Sequence, residues 1–315
     1  MKHRIVRRVL LGAGWCALIA GGLGIALYFG GWQRQELILL ASGATYLMLG
    51  ALAALLLFLL ARGWRSAVAA GIVLAGVLWT QLPLYVPDGR AATGTEFTIL
   101  QSNVLFGKAD MAAVVAAARA GRADVLTVNE LTPSAVERLT AAGIDQLFPH
   151  QYLEPGLGGS GTGIYSRFPL SGQVKHEGFT LRNLSATLEH PALGPLAVYA
   201  FHPIPPTADH AVWAREMRTV DAILRESEGP VVVGADFNAT SDHVAFRTLV
   251  NGSFDAAAEQ AGAGRLLTYP ADKSWGPLIG IDHILVSGGT TDTIGTLTIP
   301  GTDHRAVLAR LRLTT

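Results

Sequence analysis

The distribution of charge in the first 90 residues constrains the fold of this 315-residue chain more than any other feature. Three stretches, at positions 9–33, 37–61 and 66–87, contain no Asp, Glu, Lys or Arg. Each is as long as the roughly 20 apolar residues that cross a bilayer core. The pattern predicts three transmembrane helices within residues 1–90, at about 9–31, 37–61 and 66–86.

Charge is divided unevenly between this region and the rest of the chain. Residues 1–90 hold eight Lys or Arg and two Asp or Glu, whereas residues 91–315 hold sixteen and twenty-two, so +6 and −6 give the net charge of zero. Most bases of the first region lie at the N-terminus and between the second and third stretches, which the positive-inside rule places in the cytoplasm. Three crossings predict a multi-pass protein of a bacterial inner membrane, with residues 91–315 on the extracytoplasmic, periplasmic side.

Composition excludes several classes of protein. The single cysteine, Cys16, allows neither an intrachain disulfide nor a Cys-based zinc site. The acidic second region has no run of Lys or Arg, so it lacks the charge that tight, sequence-independent binding of duplex DNA requires. Nothing in the sequence indicates a protein partner.

Residues 91–315 alternate short β-type runs with helical patterns, which predicts a mixed α/β domain with sheets covered by helices. Asp110 and Thr132 are predicted helix caps, and Gly121 and Gly143 are predicted stops. A further helix is predicted from about Asp209 to Arg225. The predicted strands are 97–102, 124–128, 164–166, 196–201, 231–233, 281–286 and 306–313.

Polar residues stand at the ends of these predicted strands. Asn103, Glu130 and His202 each follow a strand, Asp236 and Asn238 follow the triple-valine strand, Asp282 opens another, and Asp303-His304 precede the last. Singly, each is more often a turn former than a functional group. Together, functional groups at strand ends are typical of α/β sites.

Seven segments containing these residues resemble the endonuclease/exonuclease/phosphatase superfamily, a group of metal-dependent phosphodiesterases. They follow the order of that family and cover almost all of residues 97–305. The resemblance implies a two-sheet β-sandwich flanked by helices, a four-layer α/β/β/α fold. The segments are 102–104, 129–130, 163–167, 201–203, 234–238, 281–284 and 302–304.

The resemblance also implies roles for these residues. Glu130 would be the principal metal ligand, with Asp303 near the metal and Asn103 helping to place metal or phosphate. The expected cofactor is Mg²⁺, with Mn²⁺ or another divalent ion as alternatives, because such ions bind carboxylate oxygens and offset phosphoryl charge.

The catalytic residues implied by the resemblance are His304 with its carboxylate partner Asp282, Asp236 beside the attacking water, Asn238 on a phosphoryl oxygen, and His202. Whether His304 or Asp236 takes the proton of the water stays open. His202 matches a histidine that binds phosphate or protonates the leaving oxygen.

Two departures from the family pattern affect these expectations. Ala235 stands where the family usually has glycine, and the acidic partner of His202 has no clear candidate beyond Glu154. The predicted activity is hydrolysis of a phosphoester, with nucleic acid or a phospholipid headgroup as substrate and the lipid bilayer as partner. The alternative is a catalytically inactive membrane sensor that binds phosphorylated ligands.

Overall fold

The computed structural model describes residues 2–250 and 252–314, and the chain separates into two structural units. The first unit runs up to Pro83 and includes Asp242–Val244, and the second comprises Leu84–Ser241 and the residues from Ala245 onward. The helices of the first unit are α1 (Lys2–Phe29), α2 (Gln35–Ala41), α3 (Ala44–Leu60) and α4 (Trp64–Gln81). A 3₁₀ turn, Leu82–Tyr85, follows α4.

Two helices of the described residues are long and apolar enough to cross a membrane, Lys2–Phe29 and Trp64–Tyr85. The predicted transmembrane helix at 37–61 is not a single helix, because α2 and α3 meet at a bend of 62°. Ser42 and Gly43 lie at the break, and both residue types favour helix ends over helix interiors. If the bent pair forms a single span, the number of spans rises to three.

Glycines allow α1 and α3 to approach closely. A Cβ added at Gly21 would lie 2.7 Å from the backbone nitrogen of Ala51, and one at Gly24 would lie 2.7 Å from the carbonyl oxygen of Ala44. From α3, a Cβ at Gly50 would be 2.4 Å from the carbonyl oxygen of Ala17. Small residues at the interface are typical of helix packing in membranes, where backbones touch without a hydrophobic driving force.

The second unit contains two six-stranded sheets. The helices beyond residue 90 are α5 (Met111–Gly121), α6 (Pro133–Ala141), α7 (Ile144–Leu147), α8 (Pro206–Arg225), α9 (Val244–Leu249, whose first residue belongs to the first unit) and α10 (Ala257–Gln260). The strands of the second unit are β1 (Thr95–Asn103), β2 (Val125–Asn129), β3 (His150–Glu154), β4 (Thr162–Ser166), β5 (Leu170–Lys175), β6 (Leu184–His190), β7 (Gly194–Phe201), β8 (Val231–Asp236), β9 (Asp255–Ala256), β10 (Asp282–Ser287), β11 (Gly289–Thr298) and β12 (Arg305–Leu313).

The two sheets share one pattern of strand pairing. The first has the order β11-β12-β1-β2-β4-β3 and the second the order β5-β6-β7-β8-β10-β9. At the centre of each sheet one pair is parallel, β1 with β2 and β7 with β8, and every neighbouring pair is antiparallel. Parallel neighbours end at the same edge, so the residues after these four strands are brought to one side of the sandwich.

Apolar side chains fill three layers between and outside the sheets. Ile99 and Val125 of the first sheet belong to the same buried cluster as Leu196 and Val232 of the second. A separate cluster joins the outer face of the first sheet to α5 and α6. On the second sheet, the buried indole of Trp213 in α8 donates a hydrogen bond to the carbonyl oxygen of Phe237. The arrangement is the expected α/β/β/α sandwich.

Local sequence signals place the helices accurately. The Asp110 carboxylate accepts hydrogen bonds from the backbone nitrogens of Ala112 and Ala113, and the Thr132 hydroxyl caps α6. Asp209 lies inside α8 with an extended backbone (φ −156°) and accepts from two later backbone nitrogens, so it caps the regular part of that helix. The strands β3, β5, β6, β9 and β11 were not predicted from the sequence.

Candidate active site

The sequence-predicted site residues meet where the central strands of both sheets end. Asn103 closes β1 and pairs in register with Asn129, which closes β2 directly before Glu130. In the second sheet Asp236 closes β8 and pairs with Asp282, the first residue of β10. His202 follows β7, and Asp303 and His304 precede β12.

The most tightly bound pair of the site is Asp282 with His304. The distance from Asp282 Oδ2 to His304 Nδ1 is 2.8 Å, and both side chains are buried. Burial by itself lowers the pKa of His304, but the nearby carboxylates of Asp282 and Asp236 outweigh it and raise that pKa to about 10. Burial by itself raises the pKa of Asp282, but the His304 charge and hydrogen bonds bring it below its usual value. The His304 ring is therefore a cation at neutral pH. Its Nδ1 is bound to Asp282, which leaves Nε2 as the nitrogen that can donate to another group.

Asp236 lies beside this pair and is almost completely buried. Its Oδ1 accepts a hydrogen bond from the backbone nitrogen of Asn238, and its Oδ2 accepts one from Asn103 Nδ2 at 3.0 Å. The same Oδ2 lies 3.8 Å from His202 Nε2 and 3.8 Å from His304 Nδ1. Burial and, as a smaller contribution, the charge of Asp282 raise the pKa of Asp236 to about 6. A carboxylate with this pKa is suited to act as a general base near neutral pH.

Asn103 connects two carboxylates from different sheets. Its Nδ2 donates to Glu130 Oε1 and to Asp236 Oδ2, both at 3.0 Å, while its Oδ1 accepts from the backbone nitrogen of Leu105. The other oxygen of Glu130 accepts from the backbone nitrogen of Phe106 at 2.7 Å. Burial raises the pKa of Glu130. A buried carboxylate such as that of Glu130 favours a bound cation, because the positive charge would offset the cost of removing the carboxylate from water.

Two site residues have a backbone that non-glycine residues seldom adopt. Glu130 has φ +60° and Asn238 has φ +50°. Asparagine tolerates this region because its side chain bonds locally, whereas glutamate does so less readily. Asn238 Nδ2 donates to the carbonyl oxygen of Pro203, so the loop after His202 is fixed to the loop after β8. The strain at Glu130 is maintained by the two hydrogen bonds to its carboxylate.

His202 is buried, and its Nδ1 has no hydrogen-bond partner among the described residues. Burial lowers its pKa, so the ring is neutral. Its charged neighbour is Asp236, whereas Glu154 forms ion pairs with Lys175 and Arg182 at 3.7 and 3.8 Å. The interpretation of Glu154 as partner of His202 therefore has no support in the structure.

The donor atoms available to a cation fall into two groups. Asp236, Asp282 and His304 each bring one possible ligand atom within 4.8 Å of the others, in the described part of the chain. The hydrogen bond between Asp282 and His304 accounts for much of that closeness. The second group is the oxygen set predicted from sequence, and there Asp303 Oδ1 is buried without a hydrogen-bond partner among the described residues. Oxygen donors suit Mg²⁺ better than an imidazole that already holds a proton.

A buried amide pair, Gln101 and Asn129, lies behind the candidate site; Gln101 was not predicted as a site residue, and Asn129 was predicted only as part of the segment 129–130. Gln101 is completely buried, and its Nε2 donates to Asn129 Oδ1 at 3.0 Å and to Asp282 Oδ1 at 3.1 Å. Asn129 in turn accepts from the backbone nitrogen of Asp236 and donates to the carbonyl oxygen of Phe201. This polar bridge joins the sheets and orients Asp282. A glutamine that directly follows the apolar pair Ile99-Leu100 in the predicted strand was the signal that could have revealed it.

Two further buried residues hold the His202 loop. Asn183 Oδ1 accepts from the backbone nitrogen of His202 at 2.7 Å. Glu216 of α8 accepts from the backbone nitrogens of Thr180 and Ile204. Glu216 is an acid on the buried face of an amphipathic helix, which is a recognisable signal, whereas Asn183 stands in no pattern.

Ala235, which departs from the family pattern, is fully buried in β8 and pairs with Phe201. Its methyl group does not interrupt the strand, which continues to Asp236.

Comparison with known proteins agrees with this geometry. A model of the endonuclease/exonuclease/phosphatase family matches residues 100–304, and no curated protein matches the chain. Among solved structures, a humanized D. rerio TDP2 is similar with a TM-score of 0.60 and 16% identity, over 69% of this chain and 99% of that one. D. rerio TDP2 in complex with a single-strand DNA product gives 0.58 and 17%, over 69% and 99%. An endonuclease/exonuclease/phosphatase from Beutenbergia cavernae gives 0.52 and 19%, over 69% and 72%.

The structural neighbours, all below 20% identity, share the fold with this chain. The family model covers well over half of the chain and contains every site residue described above. The chain therefore belongs to the endonuclease/exonuclease/phosphatase family of phosphoester hydrolases.

Proposed function

We propose that residues 91–315 form a catalytic domain that hydrolyses phosphodiester bonds with a divalent cation, and that residues 1–90 hold it on a bacterial inner membrane. The observation that supports this most directly is the buried Asp282–His304 pair beside Asp236 and Asn103. A histidine with its Nδ1 bound to a buried carboxylate is oriented to donate a proton or hydrogen bond from Nε2.

Glu130 and Asp303 are the residues that would hold the cation, with Asn103 fixing Glu130 as a hydrogen-bond donor. Both carboxylates offer oxygen ligands, and the buried Asp303 Oδ1, which has no hydrogen-bond partner in the described part of the chain and lies 3.9 Å from His304 Nε2, is an atom that gains from such a charge. When bound, Mg²⁺ or Mn²⁺ would offset negative charge on the phosphoryl oxygens.

The other residues of the site have separate roles in the proposed reaction. Asp236 orients the attacking water and accepts its proton, because its carboxylate is held between Asn103 and the backbone of Asn238. His304 donates from Nε2 to a phosphoryl oxygen. His202 and the amide of Asn238 contact the phosphate on the side of the leaving oxygen. There Nδ1 of His202, which has no hydrogen-bond partner among residues 2–250 and 252–314, offers a further site for a proton.

The orientation in the membrane follows from the bases that flank the apolar helices. If α2 and α3 together form one span, three crossings place the catalytic domain outside the cytoplasm. Reporters fused at Thr314 that are active only in the cytoplasm or only in the periplasm test this. Activity of the cytoplasmic reporter alone would contradict the orientation.

Activity is tested on the purified full-length protein with a soluble chromogenic phosphodiester, in Mg²⁺ and in chelator. We expect turnover that chelator abolishes and that falls by about 10² to 10⁴-fold in Asp236→Asn and in His304→Ala. Asp145→Asn, an exposed acid of α7, is the matched control and should retain turnover. Absence of chelator-sensitive turnover, with retained binding of a phosphorylated ligand, would favour the sensor. The buried Asp282–His304 pair argues against the sensor, because binding alone does not require an oriented histidine.

A further inference from the structure

Exposed apolar side chains of the catalytic domain are concentrated on the loops beside the candidate active site. Between residue 91 and the C-terminus, five large apolar side chains of the described residues are exposed. Four of them stand on site loops, and Leu157 (87% exposed) and Trp275 (66%) are the most exposed. The fifth, Val174, lies on the strand β5. We call the four the apolar rim: Phe106, Leu157, Trp275 and Leu278.

One half of the apolar rim contacts the predicted metal ligand Glu130. The backbone nitrogen of Phe106 donates to Glu130 Oε2. The loop that bears Leu157 packs on both residues, because a Cβ added at Gly159 would lie 3.2 Å from Phe106 Cε1 and 3.5 Å from Glu130 Cδ. Phe106 and Leu157 therefore project from the immediate border of the site.

The other half of the apolar rim begins at His304. The ring of Tyr269 lies 5.0 Å from the ring of His304, centroid to centroid, and the backbone nitrogen of Ala271 donates to the carbonyl oxygen of Asp303. The backbone nitrogen of Leu278 donates a hydrogen bond to the carbonyl oxygen of Tyr269. Trp275 is thus near the tip of a loop whose two ends are fixed beside the catalytic histidine.

Two lysines accompany these side chains. Lys108 Nζ lies 5.5 Å from the centre of the Phe106 ring, and Lys273 is in the same loop as Trp275. Lys273 is exposed and lies 2.8 Å from Asp272. Aromatic and aliphatic side chains beside lysine are typical of surfaces that enter the headgroup region of a bilayer, where the apolar part is buried and the amine stays in water.

A bilayer fits this surface better than a nucleic acid. Single strands are bound by aromatic planes in a positively charged groove, whereas half of the apolar rim is leucine and residues 91–315 have a net charge of −6.

We infer that the apolar rim inserts into the headgroup region of a bilayer and that the substrate is a phospholipid, whose headgroup phosphodiester enters the site from the membrane surface. This inference rests on the proposed hydrolytic function. The oxygen of water bonds to phosphorus while its proton passes to Asp236. One P–O ester bond breaks, the leaving oxygen takes up a proton from solvent, and Asp236 returns its proton to solvent. The products are a phosphomonoester and an alcohol.

Turnover is measured on full-length protein in nanodiscs of phosphatidylcholine with phosphatidylglycerol, and on a soluble chromogenic phosphodiester. The readout is the ratio of lipid to soluble turnover. In Leu157→Ser/Trp275→Ser we expect this ratio to fall at least about tenfold, since each removed side chain contributes to insertion. Val174→Ser is the control, because Val174 is also apolar and exposed (44%) but lies on the edge strand β5 rather than on a site loop, and its ratio should equal that of the unaltered protein. An unchanged ratio in the double variant, or cleavage of single-stranded DNA without cleavage of lipid, would overturn the inference.

A second measurement does not depend on turnover. In a Cys16→Ala background, an environment-sensitive fluorophore is attached to Leu157→Cys or to Val174→Cys, and the full-length protein is placed in nanodiscs containing spin-labelled lipid. Quenching and a blue shift at position 157 but not at 174 are expected. Equal quenching at the two positions contradicts insertion, even in a protein without activity. If the unaltered protein does not turn over the soluble phosphodiester in the first experiment, that result contradicts the proposed hydrolytic function. It does not contradict insertion of the apolar rim.

Discussion

The N-terminal unit and the α/β domain pack closely through different kinds of residue. In the first, Gly21 and Gly24 let the backbones of two apolar helices touch. In the second, buried amides and carboxylates, above all Gln101 and Asp282, are held by complementary hydrogen bonds between two sheets. Apolar helices tolerate sequence change wherever their side chains face outward, whereas each buried polar group depends on one particular partner. The comparison predicts where substitutions act on stability and where they act on chemistry.

The largest effect is expected for Asp282→Asn, which keeps the shape of the side chain but removes its charge from His304. We expect the turnover of a soluble phosphodiester to fall by about 10² to 10⁴-fold, because the ring loses both its orientation and its proton. The measurement is kcat against pH. Asp292→Asn removes a carboxylate from a surface ion pair with Arg312 and should leave kcat unchanged. Similar losses in both variants would show that the Asp282–His304 pair has no special role.

The next effect is expected for Gln101→Leu, which removes the amide behind Asp282. Asn129 Oδ1 and Asp282 Oδ1 each lose a buried donor, at about 1 to 3 kcal/mol of unfolding free energy per group. Chemical denaturation measures this loss. Thr127→Val is the control, because the buried Thr127 hydroxyl has no partner among the described residues and its removal should not destabilise the domain. A neutral Gln101→Leu would mean that the polar bridge does not hold the sheets.

Gly21→Val tests the other region. The new side chain meets the backbone of Ala51, and we expect a loss of about 1 to 3 kcal/mol in the packing of α1 on α3, without change in kcat for a soluble substrate. Thermal unfolding in detergent is the measurement. A Cβ at Gly12 meets nothing within 4 Å, so Gly12→Val should unfold like the unaltered protein. Equal midpoints for the two variants would contradict the close packing.

The smallest effect concerns His190, which is nearly buried and accepts hydrogen bonds at Nδ1 from the backbone nitrogens of Ala192 and Leu193. Burial lowers its pKa in the folded state, so the unfolded chain binds the proton first as pH falls below about 6.5. Stability is therefore lost from about pH 6.5 down to the folded pKa. His190→Asn keeps an acceptor without titrating, and its denaturation midpoint should fall less between pH 7.5 and 5.5. Above pH 8 the difference between the two proteins should be constant.

The sequence predicted most of the polar residues that meet at the candidate site, because they stand at the ends of strands that short apolar runs predict well. It failed where only partners in space define an element. The strands β3, β5 and β11 have partly or mostly exposed residues and no clear alternation, so nothing local distinguishes them from loops. Asn183 and Gln101 were missed for the same reason, since their roles lie in hydrogen bonds to residues far away in the chain.

The sequence alone determined the apolar N-terminal region, the caps of the helices and the set of polar residues at strand ends, since these depend on neighbouring residues and on hydrophobic period. Tertiary structure alone decided the bridge of Gln101 and Asn129 and the charge of His304. Each of these arises when groups distant in the chain are buried together, because burial removes water and leaves hydrogen bonds and charge pairs to set conformation and protonation.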